Sequence, residues 1–136
     1  MKRDMALVRT ILFALEASKD NEPASVHLPH NVDDLHMNYH IRLMKEGGLI
    51  HAIEMSRSMY PTAWVPHTLT WAGHEFLDAV RDPDIWNAVQ DLESRSQLPL
   101  PISIIEAFAL DALGRKVQTS LQGASALKVA QNPLSL

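Results

Sequence analysis

Several side chains in this chain stand at spacings that chemistry would need. His36 and His40 lie four residues apart, so on a helix they share a face, a spacing at which two imidazoles can hold one metal ion. His27 and His30 precede them closely. A zinc site needs a third ligand, and no motif marks one; in HEFLD, residues 74–78, Asp78 stands where a zinc-protease motif would have its second histidine. Asp78, Asp82 and Asp84 form an acidic run, which reads more simply as a solvated turn than as a Mg²⁺ site. There is no glycine-rich phosphate loop, no nucleophile elbow and no cysteine. The expectation is therefore no enzyme, no metal and no cofactor.

A second set suits recognition. Asn38, Arg42 and Lys45 fall on one helical stretch; Asn and Arg are suitable base readers and Lys45 could meet a phosphate. Arg57, in the turn beyond, is the basic residue that a wing would offer. Against this, Asp33, Asp34, Glu46 and Glu54 outnumber the basic residues over 32–58, and the whole chain carries a formal charge of −4. Phosphate contacts supply most non-specific affinity for nucleic acid, so this balance lowers the case for double-stranded DNA and leaves a host or phage protein as the alternative partner. Lys2, Arg3, Arg9, Arg115, Lys116 and Lys128 are basic too, and read best as scattered surface charge.

These residues need elements to position them. The chain has 136 residues, 46% of them hydrophobic, which suffices for one domain with a core and an added helix. Val8, Ile11, Leu12 and Leu15 mark a first helix over 4–18 with Asp4 as its cap. VHLPH, 26–30, reads as a short edge strand. Met37, Ile41 and Met44 mark a second helix from Asn31 or Asp33 to Glu46, closed by Gly47 and Gly48. Residues 49–55 and 63–70 read as a hairpin around a turn at 56–62. A third helical stretch opens on Thr70 and breaks or restarts at Asp82-Pro83. LPLP, 98–101, is a linker to a last helix over about 102–121, and residues 122–136 are expected to be a frayed, flexible tail. Core or interface packing is expected of Trp71 and Trp86, rather than base stacking. The basic start is not a signal peptide, since Arg9 and Glu16 interrupt its apolar stretch; with no membrane-spanning run, a cytoplasmic protein is expected.

The resulting fold class is α+β and mainly α: a winged-helix-like domain over 1–97 (helix, short strand, helix, two-stranded wing, helix) followed by a C-terminal helix. Residues 19–31 leave little room for the first helix of a full helix-turn-helix. YHIRLMKEGGLI resembles the end of the recognition helix in winged-helix regulators, and LTWAGHEFLDAVRD the end of the wing. With the opening MKRDMALVR, these stretches resemble a family of short uncharacterised bacterial and prophage proteins classed as a domain of unknown function. That resemblance implies the winged-helix architecture, Ile41, Met44, Leu49 and Ile50 in the core, Gly48 as the cap, and a phage-like context. It implies no activity. A small non-enzymatic regulatory protein is the expectation, and a homodimer through the last helix, with Ile105, Phe108, Ala112 and Leu113 at its interface.

Overall fold

In a computed structural model, residues 1–19, 26–57 and 60–131 are described, with side chains at 56–62 and from 125 onward outside the description. The described chain forms α1 (Met5–Ala17), α2 (Asp34–Glu46), β1 (Ile50–Arg57), β2 (Tyr60–Leu69), α3 (Trp71–Val80), α4 (Pro83–Ser96) and α5 (Ile102–Gln131). The fold is α+β and mainly helical, with the winged-helix-like order of helix, hairpin and helix. It divides into two compact units, Met1–Asp78 and Ala79–Leu136.

In the first unit the apolar periodicity becomes burial. Met5, Leu7, Val8, Ile11, Leu12 and Leu15 of α1 are buried, as are Met37, Ile41 and Met44 of α2, and Ile50, Leu69, Phe76 and Leu77. α1 packs on α2 and β2, and α2 on both strands. The Asp4 side chain caps α1 by accepting from the N–H groups of Ala6 and Leu7. Asp33 caps α2 by accepting from His36 N–H. Beyond Glu46, Gly48 takes the left-handed conformation at φ 75°, and Leu49 N–H donates to the Met44 carbonyl at 2.9 Å. This six-to-one closure reverses the chain into β1.

β1 and β2 pair antiparallel, Ile50 opposite Leu69 and Ile53 opposite Val65, with irregularities between His51 and Ala52 and between Met55 and Arg57. The strands are longer than the sequence suggests: the expected turn at 56–62 shrinks, because Arg57 pairs with Tyr60. Pro61 is tolerated within β2 because it lies at the second irregularity of a sheet that has only edge strands. The expected strand at 26–30 does not form. Residues 26–29 carry no regular structure and the sheet stays two-stranded; Pro29 has no N–H to contribute to a ladder. Thr70 caps α3, its Oγ1 accepting from Gly73 N–H at 3.1 Å. Gly73 is obligatory here: a Cβ would lie 2.0 Å from the Leu49 carbonyl oxygen. Trp71 is 81% exposed, so of the two kinds of packing expected for it, core packing is ruled out. The buried Phe76 and Leu77 lie in the next turn of α3, on its other face.

In the second unit, Asp82 caps α4, Pro83 occupies its first turn, and Gln97 ends it in the left-handed conformation. α4 packs on α5. Ile85, Trp86, Val89, Ile105 and Ala109 are buried. α5 continues ten residues past the expected end at 121, through small and polar residues whose apolar periodicity is weak; residues 132–136 lie outside the described chain.

Candidate interaction surface on α2 and the hairpin

The side chains selected for base reading are largely engaged by the chain itself. Asn38 is half-buried, and its Oδ1 accepts from the Trp64 N–H of β2 at 2.7 Å. Lys45 Nζ stands 4.6 Å from the centre of the Trp64 ring. The Arg42 guanidinium lies 5.5 Å from the Tyr39 ring centre and 3.7 Å from Glu46 Oε1. Arg42 and Lys45 remain exposed. The structure thus brings Asn38 and Lys45 together on Trp64, which sequence reasoning did not pair. The Arg57 side chain lies outside the described residues. At the N-terminal end of α2, where a recognition helix meets bases, the exposed residues are Asp33, Asp34 and Leu35.

His40 is a correction: the sequence places it off the core, but it is fully buried. Its Nε2 accepts from the Asp4 backbone N–H at 2.8 Å, which fixes Nδ1 as the protonated nitrogen, donating to the His36 carbonyl at 2.9 Å. Both ring nitrogens are therefore spent, and the i, i+4 pair with His36 is a packing pair with ring centres 4.4 Å apart. Its role is to hold the start of α1 against α2. No local signal in the sequence announces a partner 36 residues away.

The acidic run is likewise structural. Asp82 Oδ1 accepts from the N–H groups of Asp84 and Ile85, while Lys116 Nζ pairs with Asp82 and, at 3.5 Å, with Asp84. The Lys116 ammonium holds the Asp82 carboxyl below its ordinary range, and Asp82 in turn raises Lys116. Two more of the basic residues have local engagements: Arg115 pairs with Asp111 at 2.8 Å, and Arg9 lies over Phe13. Among the described residues, no three His, Cys, Asp or Glu side chains converge as a metal site would require.

What remains open is the hairpin. Ile53 and Met55 alternate outward along β1 and are 54% and 49% exposed. A groove of about 570 Å³ runs along the base of β1, lined by Lys45, Gly48, Ile50, His51, Ala52, Ile53, His67 and Thr70. Its lining holds one lysine and two histidines and no acid. His67 Nε2 is buried and has no hydrogen-bond partner among the described residues.

The family model described as Hypothetical protein (DUF2513) matches residues 2–97, from α1 through α4. The chain belongs to this family. A Haemophilus influenzae (strain ATCC 51907 / DSM 11121 / KW20 / Rd) protein described as "Uncharacterized protein" is 34% identical over 112 residues, covering 80% of this chain and 92% of that one. No solved structure matches the chain. The family span takes in α2, the hairpin and the Thr70–Gly73 corner. The interface residues expected on α5 lie beyond it. Of these, Ile105 is buried within its own chain and Phe108, Ala112 and Leu113 are half-buried. Among the described residues, no helix is long and apolar enough to cross a membrane.

Proposed function

We propose that this is a small, non-enzymatic regulatory protein of phage or prophage type, cytoplasmic, that binds another protein through its winged-helix-like scaffold. The observation that carries this reading is the Asn38 to Trp64 hydrogen bond. The amide best suited to adenine recognition is turned onto the hairpin, and the leading end of α2 presents acids. The apolar groove beside β1, lined by one lysine and two histidines, suits a protein segment with apolar and acidic side chains. The expected homodimer belongs to this reading, as does the absence of catalysis.

Two measurements test it. Titration with random-sequence duplex DNA at about 50 and 200 mM salt should show no steeply salt-dependent binding. Binding that collapses between those salt concentrations would instead establish the DNA reading, with Arg42 and Lys45 as phosphate contacts. Proteins retained from the host by the wild-type chain should be lost when Ile53 and Met55 are replaced by glutamate. Retention by that variant would place the contact elsewhere.

A further inference from the structure

Two nitrogen-bearing side chains in the wall of the groove at the base of β1 keep hydrogen-bonding capacity that the described chain does not use. The first is His67. The register passes from His51 opposite Thr68 to Ala52 opposite Pro66, so His67 is the extra residue of a bulge and has no partner on β1. A bulge re-aims a side chain, and the His67 ring lines the groove. Its Nε2 is shut off from water and has no hydrogen-bond partner among the described residues. Buried polar atoms are nearly always partnered, so an orphan nitrogen in a groove wall calls for a polar atom from outside the chain. The second is Lys45. Elsewhere cations meet carboxylates: Arg42 meets Glu46, Arg95 meets Asp91 and Arg115 meets Asp111. Lys45 is exposed and meets no carboxylate among the described residues; its ammonium rests over the Trp64 ring. Glu54, the acid of β1, is exposed and outside the groove lining. Thr70, also in the lining, is spent: its hydroxyl donates to the Gly48 carbonyl and accepts from Gly73 N–H.

We infer that the groove takes a carboxylate carried by an apolar segment of a partner protein, the carboxylate accepting from Lys45 Nζ and His67 Nε2. The charges match, since Lys45 supplies one fixed positive charge and a carboxylate brings one negative charge. With its proton on Nε2, the His67 ring donates to the second oxygen. A phosphate carries close to two charges and asks for an arginine fork or further cations, and the lining has no arginine. The rest of the wall is largely aliphatic, with Ile50, Ala52 and Ile53, and such walls strengthen a charge-assisted hydrogen bond between them. The apolar surface continues from Ile53 to Met55, two residues or about 7 Å further along β1. A small free acid seated at Lys45 and His67 leaves that continuation bare; a chain segment covers it. This inference rests on the protein-partner reading and gives its contact a chemistry.

The test titrates the isotope-labelled full chain, at neutral pH, with acetyl-Leu-Glu-Leu-amide, its glutamine counterpart, hexanoate and inorganic phosphate, following the His67 ring nitrogens by NMR. The glutamate peptide should move the His67 resonances and bind about tenfold more tightly than the glutamine peptide, because charge-assisted hydrogen bonds replace neutral ones. K45M, which keeps the aliphatic stem over Trp64, should abolish that preference while the spectrum elsewhere stays in place. H67F, which fills the ring's place without its nitrogen, should weaken the glutamate peptide more than the glutamine one. Equal binding of the two peptides, a still His67 at about 10 mM glutamate peptide, or a preference that survives K45M overturns the proposal. Hexanoate binding as tightly as the glutamate peptide would show a small-acid site, and tighter phosphate binding would show a phosphate site; either overturns the peptide occupant. Failure here is separable from failure of the protein-partner reading. Host proteins lost by I53E/M55E and fully retained by K45M would overturn the carboxylate alone, whereas salt-dependent DNA binding would overturn the reading itself.

Discussion

α2 and the part of α5 beyond Leu113 both carry many polar side chains, and they differ in what answers them. Along α2, Asp33 caps, Asn38 accepts from Trp64, the Tyr39 hydroxyl donates to the Met1 carbonyl, His40 accepts from Asp4, and Lys45 covers Trp64. Beyond Leu113, Arg115 pairs with Asp111, Lys116 with Asp82 and Asp84, and past Lys116 the Thr119 hydroxyl donates to the Arg115 carbonyl of its own helix. The polar residues of α2 look like a recognition face in sequence and turn out to be fastenings. The small and polar residues of distal α5 look like a tail and continue the helix, exposed as far as Ala124. Residue type alone indicates capacity for an interaction. Whether the chain itself has used that capacity depends on partners far away in sequence.

The contrast is tested most strongly with alanine at two glycines. Gly73→Ala should cost about 3 kcal/mol, because its Cβ would collide with the Leu49 carbonyl and neither backbone segment can yield cheaply. Gly123→Ala meets nothing within 4 Å and should instead stabilise its helix by up to about 1 kcal/mol. Urea denaturation of both variants reads the two signs. Next in size, His40→Leu should cost about 2 kcal/mol by leaving the Asp4 N–H without its acceptor, and His40→Gln should recover part of that loss. An unchanged midpoint for His40→Leu would remove the fastening role. Asn38→Ala should cost about 1 kcal/mol, while Asn38→Asp, which keeps the acceptor for Trp64, should be close to neutral. Equal losses for the two would show that the hydrogen bond is not what holds Asn38.

The smallest effect is the surface pair in the second unit. Asp82 is held below its ordinary range by the Lys116 hydrogen bond, so its contribution is present at neutral pH and fades as pH falls through that lowered value. Lys116 is raised by Asp82, so its contribution is present at neutral pH and fades as pH rises through that raised value. The gap in thermal midpoint between wild type and Lys116→Met should therefore be widest near neutrality, close toward both extremes, and shrink in high salt because both groups are solvated. A gap that grows in acid would contradict the pairing.

Much of the architecture was legible in local pattern. The stripe of Val8, Ile11, Leu12 and Leu15 marked α1; Asp33, Gly48, Thr70 and Pro83 placed helix ends through backbone chemistry that depends only on near neighbours. The strand ends were harder to read because Pro61 is a turn signal that an edge strand can absorb. Trp71 could be read for core or interface packing alike, and its position on the first turn of α3 takes it out of the core. The candidate surface was least legible. His40 to Asp4 and Asn38 to Trp64 span 36 and 26 residues, and no short-range periodicity encodes either.

The brace between Asn38 and Trp64 has a mechanical consequence. β1 is eight residues long, about 26 Å of arm, and is clamped at its root where Gly73 abuts Leu49. Clamped there alone, the hairpin would be a cantilever, and a tilt of roughly 10° at the root would carry its tip about 5 Å. Trp64 lies opposite Glu54, partway out, and its N–H is tied to α2. That tie acts as a strut. It shortens the unsupported arm of β1 to its last three residues, roughly 10 Å, while the root keeps a stiff profile.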